Sequence, residues 1–201
     1  MPWEWDHEDL AATTGLRLNV GSGSWPLAYW TNLDADPEAK DVDVCAVVPP
    51  IPYDDESLLE VWAGHFLEHL SRDEAQVFLE EAYRVLMPKG KLGILVPDTR
   101  EIMRRYLAGS IDAVEYPYAT WWDVNDLDAV CHLFLYSTVQ DSPHRWGWDQ
   151  HTLARAMTLA GFKDLAPIDR YRDPRIVQGA WYQFGLFGTK PAIEEMTDDG
   201  N

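Results

Sequence analysis

Residues 16–20 (Leu-Arg-Leu-Asn-Val) alternate in polarity and run straight into Gly21-Ser22-Gly23. Alternation at period two is a strand signal, and glycine tolerates the positive φ that a tight turn imposes, so the segment predicts a strand ending in a turn. A residue without Cβ also lets the backbone come close to a ligand.

The pattern downstream alternates in kind. Residues 29–33 predict a second strand ending at Asp34, residues 43–48 a third stopped by Pro49, Pro50 and Pro52, and residues 59–63 a fourth. Ser71 and Glu74 have capping-box spacing. Ala75, Phe78, Leu79, Ala82, Val85 and Leu86 then recur at helical intervals until Pro88 and Gly90 end the run. Residues 91–96 predict a fifth strand that stops at Pro97-Asp98, with a short helix over about 99–107. Asp149 is placed to cap a further helix carrying Leu153, Ala156, Met157 and Ala160 on one face, with Gly161 at its C-terminal end. Strands at about 163–168 and 181–189 complete the series. Strands alternating with helices imply a doubly wound α/β fold, a mostly parallel sheet covered on both faces. Ligands of such sheets lie beyond the carboxyl ends of the strands, at the topological switch point. The functional residues are therefore expected at 21–25, at Asp34, at 64–69 and at Asp98.

At 201 residues the chain has the length of one domain. No apolar run approaches the ~18 residues of a membrane span, and the acidic first ten residues lack the plan of a signal peptide. Two cysteines, Cys45 and Cys131, make no disulfide framework and no zinc motif. A cytoplasmic protein with no membrane partner is expected. The formal net charge of -18 repels phosphate backbones, which argues against a nucleic-acid substrate and reads as a solubility or high-salt device.

Asp34, at the end of the second strand, is placed to accept hydrogen bonds from both hydroxyls of a ribose. A dinucleotide fingerprint would need a third glycine where Pro26 stands, and an acid about 20 residues on, whereas Asp34 follows Gly21 by 13. A nucleoside cofactor without phosphates fits better, and S-adenosylmethionine is the expected one.

These residues carry a resemblance. Leu-Asn-Val-Gly-Ser-Gly followed by Asn-Leu-Asp resembles the first motif and ribose-binding acid of class I S-adenosylmethionine-dependent methyltransferases. Residues 50–57, 63–69, 83–90, 96–98 and 160–162 are similar, in order and spacing, to the small bacterial type-11 methyltransferases. The resemblance covers roughly residues 16–109 and 144–190. It implies a Rossmann-like seven-stranded sheet whose last strand is antiparallel. It also implies a cofactor held by Asn19, Gly21, Ser22 and Gly23 at its methionine part, by Asp34 at the ribose, by Ala46 and Val47 at the adenine, and by Gly64 and His65 from strand four. Asn19 stands where the family has an acid, and Cys-Ala-Val-Val where an acid or polar residue often flanks the adenine. The connection from Val20 to Tyr29 is about eight residues, shorter than the dozen or so of an ordinary parallel crossover.

His65-Phe-Leu-Glu68-His69 also has the His-x-x-Glu-His form of a zinc-protease motif. It follows a strand directly and Ser71 starts a new helix two residues on, so helix capping and lining of the cofactor site are expected and no metal. Residues 110–148 supply Tyr116, Tyr118, Trp121, Trp122, Phe134, Tyr136, Trp146 and Trp148 around Asp123, Asp126, His132 and His144. Flat apolar faces beside polar groups suit a sugar, an aromatic product or a cation, so this stretch is expected to be an insertion or lid that selects a small-molecule acceptor. The end of the chain, from about residue 191 to 201, reads as an acidic tail. Displacement at a sulfonium needs orientation and exclusion of water, and a base only for a hydroxyl or charged amine acceptor. His69, His144 and Asp98 are the candidates. Two other readings stay open, a catalytically silent binding or assembly module of the same fold, and another nucleoside-cofactor enzyme such as an aminopropyl transferase or a nicotinamide oxidoreductase.

Overall fold

The computed structural model of the chain describes residues 16–110, 143–168, 173–176 and 178–192. Seven strands form one sheet: β1 Arg17–Val20, β2 Thr31–Asp34, β3 Val44–Cys45, β4 Leu58–Gly64, β5 Leu86–Pro97, β6 Lys163–Pro167 and β7 Gln183–Thr189. Their order is β3-β2-β1-β4-β5-β7-β6. Neighbours from β3 to β5 pair in parallel, and β7 runs antiparallel to both β5 and β6. The expected sheet, with its reversed last strand, is the observed one. The chain leaves β1 toward β2 on one side and returns to β4 on the other, so the switch point lies between the carboxyl ends of β1 and β4.

Helices α1 Arg72–Val85 and α3 Gln150–Leu159 cover one face of the sheet. Phe78, Leu79, Ala82, Leu153 and Met157 pack there against Leu18, Val20, Val61, Ala63, Leu92 and Ile94, all fully buried. Burying each large side chain contributes about 1.5–3 kcal/mol, which makes this layer the main source of cohesion. Both helices begin as the spacing predicts. The Glu74 amide donates to Ser71 Oγ (3.3 Å) while the Ser71 amide donates back to Glu74 Oε2 (2.8 Å). Asp149 and Thr152 make the equivalent pair at α3. Gly161, at φ +104°, follows the last turn of α3, where Tyr83 would meet any added Cβ. A third helix, α2 Thr99–Leu107, follows β5.

The opposite face is built differently. Trp62 packs with Leu27, Trp30 and Leu95, and Ile168, Ile176 and Phe187 close around them. Beside this cluster lies a buried ion pair, Arg17 Nε to Glu60 Oε2 at 3.3 Å. The connection over residues 21–30 contains turns and no helix, and its Leu27 and Trp30 pack on this face.

Two strands differ most from the periodicity. β5 begins at Leu86 rather than at residue 91, because Leu86 pairs with Leu58 before Pro88 and Gly90 shift the register and pairing resumes at Glu60 with Lys91. β3 shrinks to Val44–Cys45 at the edge of the sheet, since the prolines that follow have no N–H to offer a ladder.

Candidate functional site

Two features gather at the carboxyl ends of the strands. The first is the turn after β1. Gly21 has φ +62° and Gly23 φ +49°, the left-handed region that glycine enters at little cost. The Gly23 amide donates to Asp34 Oδ2 at 2.7 Å, and Asp34 Oδ1 accepts from the Asp36 amide at 3.0 Å. Asp34 thus ties the turn to the end of β2 and keeps lone pairs on both oxygens. A Cβ at Gly23 would meet nothing within 4 Å, so open space lies beside the turn. At Gly21 it would fall 2.5 Å from Phe66 Cδ2, because the Phe66 ring packs directly over the backbone there. Ser22 Oγ and Asn19 Oδ1 are buried without a hydrogen-bond partner. Unpaired buried acceptors beside an open turn fit a cofactor that brings donors, such as the ammonium and hydroxyls of S-adenosylmethionine.

The other expected cofactor residues are placed as follows. Asn19 donates from Nδ2 to Asn32 Oδ1 (3.0 Å) and to the Trp25 carbonyl (3.2 Å), so its amide braces the short connection. Ala46 packs half-buried on the core, whereas Val47 is 75% exposed at the sheet edge. Gly64 meets the Asp173–Arg175 ion pair: a Cβ there would lie 2.7 Å from both side chains, and the Arg175 guanidinium donates to the Gly64 carbonyl. His65 sits between Glu68 Oε1 (3.0 Å from Nδ1) and Gln183 Oε1 (2.9 Å from Nε2), bridging the end of β4 to β7. The Gln183 amide is oriented by its donation to the Arg175 carbonyl.

The second feature is a shallow surface depression beyond β4 and β5. Glu68, Thr99, His144, Trp146 and Trp148 line it. The segment from Pro143 is held there by backbone bonds: the Arg145 and Trp146 amides donate to the Glu68 carbonyl (2.7 and 3.2 Å), and the Thr99 amide donates to the Trp148 carbonyl (3.0 Å). His69 and His144 meet edge to face with ring centroids 4.9 Å apart. The Glu68 carboxylate, 2% exposed, lies with both histidines in a group whose ligand atoms fall within 4.8 Å of one another. Burial pushes the Glu68 carboxyl up, but the His65 hydrogen bond and the charges of His65, His69 and His144 outweigh it and hold the group below its usual value. Glu68 Oε2 and Trp148 Nε1 are buried there without partners.

Of the three candidate bases, the structure brings His69 and His144 together and sets Asp98 to another task. Asp98 Oδ1 accepts from the Glu101 amide (3.0 Å) and caps α2. Burial raises its carboxyl, with the Glu101 and Asp149 charges adding to the rise. Glu68 is a site residue that spacing alone did not single out. Its signal was present in His-x-x-Glu-His, but the partner is His144, 76 residues further on. Phe66, Asp173 and Arg175 had no signal in the sequence pattern. Of the aromatic stretch, Trp146 and Trp148 line the cleft; Tyr116, Tyr118, Trp121, Trp122, Asp123, Asp126, His132, Phe134 and Tyr136 lie outside the described residues, as does the tail from residue 193.

Residues 18–94 match the family described as "Methyltransferase domain". No curated protein matches the sequence. Solved structures share the fold at low identity. A methyltransferase from Methanosarcina mazei is 14% identical with a TM-score of 0.54, covering 88% of this chain and 92% of its own. One from Thermotoga maritima, described as a possible histamine N-methyltransferase, is 15% identical with a TM-score of 0.53 over 87% and 81%. A complex of a methyltransferase activator with a methyltransferase from Haloferax volcanii matches at 14% identity and a TM-score of 0.51, over 92% and 87%. Among the described residues, no helix is long and apolar enough to cross a membrane.

Proposed function

We propose that the chain is a class I S-adenosylmethionine-dependent methyltransferase that methylates a small-molecule acceptor by in-line displacement, a reading supported by the match over residues 18–94 and by the shared fold. The observation that carries this reading is the turn after β1, where Asp34 anchors the Gly23 amide at 2.7 Å beside open space and unpartnered Ser22 Oγ. The bound cofactor supplies an activated methyl group on sulfur whose leaving thioether needs no acid. Gly21, Ser22 and Gly23 hold its methionine part with Asn19 behind them, and Asp34 holds the ribose. Ala46 and Val47 flank the adenine, and Gly64 and His65 border the site from β4.

The cleft beyond β5 receives the acceptor. Trp146, 41% exposed, offers it a flat apolar face, with Trp148 packed in the core behind it. Where the acceptor is a hydroxyl or a charged amine, His69 and His144 are the groups that take its proton, since Asp98 is committed to capping. The charge of -18 supports a metabolite over a nucleic acid, and the two cysteines suit a cytoplasmic setting.

One observation favours a second reading, a silent binding module. The Asp173–Arg175 pair fills the space at Gly64 that a cofactor would border. Titration calorimetry separates the two. Micromolar binding of S-adenosylhomocysteine, weakened at least about tenfold by Asp34→Ala, supports the enzyme. Binding of a nicotinamide cofactor in its place would overturn it, and binding without turnover on a broad acceptor panel favours the module.

A further inference from the structure

We propose that Glu68, His69 and His144 form a site for one divalent transition-metal ion, with Zn²⁺ as its natural occupant and an open coordination position facing the cleft. Two imidazoles and one carboxylate are a borderline donor set that suits Zn²⁺ and related ions, and three protein ligands leave a fourth position for water or a ligand heteroatom. The three ligand atoms already lie within 4.8 Å of one another. A cation about 2 Å from each would draw them together by about an ångström.

Independent features of the chain point the same way. Glu68 is 2% exposed and its Oε2 has no hydrogen-bond partner, an arrangement that costs stability unless something positive occupies the spot. Its other oxygen is held by His65 at 3.0 Å, and His65 is held in turn by Gln183 at 2.9 Å, so the carboxylate is oriented from behind as metal-binding carboxylates are. His69 Nδ1 lies 3.4 Å from the Pro143 carbonyl, which ties the ring to the segment that carries His144. Glu68 and His69 share the 3₁₀ turn Leu67–His69, and the Arg145 and Trp146 amides bind the Glu68 carbonyl, which places His144 against that turn. The His-x-x-Glu-His run thus contributes in an unexpected way: Glu68 and His69 are ligands, and His65 positions the carboxylate instead of binding the ion. With a metal bound, His69 and His144 are ligands, so their role as bases belongs to the metal-free protein.

The test uses the full untagged chain, stripped with a chelator and titrated with Co²⁺ as a spectroscopic probe and Zn²⁺ as competitor. The expected result is one equivalent of Co²⁺ with the intense visible bands of a four- or five-coordinate N/O site, displaced by Zn²⁺. His144→Ala should weaken Co²⁺ binding at least about tenfold and abolish the rise in melting temperature that Zn²⁺ gives the wild type. His144 is half-buried and in an irregular segment, so this variant stays folded even where Glu68→Gln does not. Absence of the visible bands overturns the site. So does the weak spectrum of octahedral Co²⁺ on surface carboxylates, or His144→Ala binding with unchanged affinity. Because the readout is metal binding, failure here leaves the methyl-transfer reading standing.

Discussion

Asn19 Nδ2 lies 3.0 Å from Asn32 Oδ1, a buried amide pair that joins β1 to β2 across the base of the connection between them. Asn32 Oδ1 also accepts from the Leu27 amide at 2.8 Å, and Asn32 Nδ2 donates to the Leu27 and Trp30 carbonyls at 3.3 Å each. These bonds fix which way the Asn32 amide faces, so Asn19 must be a donor. Restoring the family's acid by Asn19→Asp would therefore set a carboxylate against two acceptors, Asn32 Oδ1 and the Trp25 carbonyl. The expected outcome is a loss of about 2–4 kcal/mol in urea unfolding with no gain in cofactor binding. A variant as stable as wild type would show that the amide pair does not support the connection.

The two glycines of the turn separate strain from occupancy. Gly21→Ala adds both a positive-φ penalty and a clash with the Phe66 ring, and should cost about 2–4 kcal/mol. Pairing it with Phe66→Ala should recover the clash but not the φ penalty, which a double-mutant cycle reads directly. Gly23→Ala meets open space and should cost only about 1 kcal/mol. Its methyl nevertheless intrudes where the cofactor is proposed to lie, so S-adenosylhomocysteine affinity should fall at least about tenfold in a protein that is otherwise nearly wild type.

Asp98 offers a cleaner test of proton transfer. Burial raises its carboxyl, so its contribution to stability is present below the ordinary aspartate value and is lost as pH rises through the raised one. Asp98→Asn keeps an oxygen for the Glu101 amide and removes the buried charge, and should match or exceed wild-type stability at neutral pH. That advantage should shrink as the pH falls through the raised value and be gone by about 4, the ordinary aspartate value. Asp98→Ala loses the cap and should cost about 1 kcal/mol. Turnover should survive Asp98→Asn within a few fold; a collapse in kcat would make Asp98 the base.

Acid sensitivity should concentrate at α2. The Arg104 and Arg105 hydrogen bonds hold the Glu101 carboxyl at about 2, below its usual 4.5. Its folded value is depressed, so its contribution is full above 4.5 and drains as pH falls toward 2. The urea midpoint of wild type should therefore drop more between about pH 6 and pH 3 than that of Glu101→Gln. Equal slopes would mean that the pair is too well solvated to matter.

Most of the fold was legible because its signals are local. The capping boxes at Ser71 and Asp149, the apolar face of α1 and the proline stops act within a turn or two of chain, and each produced its element where the spacing placed it. Where the boundary moved, at Leu86, a partner strand supplied the reason: Leu58 had to pair with something. The glycine turn and Asp34 were likewise readable, since the end of one strand and the end of the next are brought together by the order of a parallel sheet alone.

What the residues determined unaided was therefore the mostly parallel sheet and the turn at its switch point, consequences of periodicity and capping, while the reversed last strand was implied by the resemblance to class I methyltransferases. Tertiary structure alone decided the rest. It made the Asn19 amide a brace for a crossover without a helix, and set Asp173–Arg175 against Gly64. It also joined His144 to Glu68 and His69 across 76 residues of sequence. Those contacts run between groups far apart in the chain. No local pattern encodes them, because their geometry exists only after the strands have set the distances.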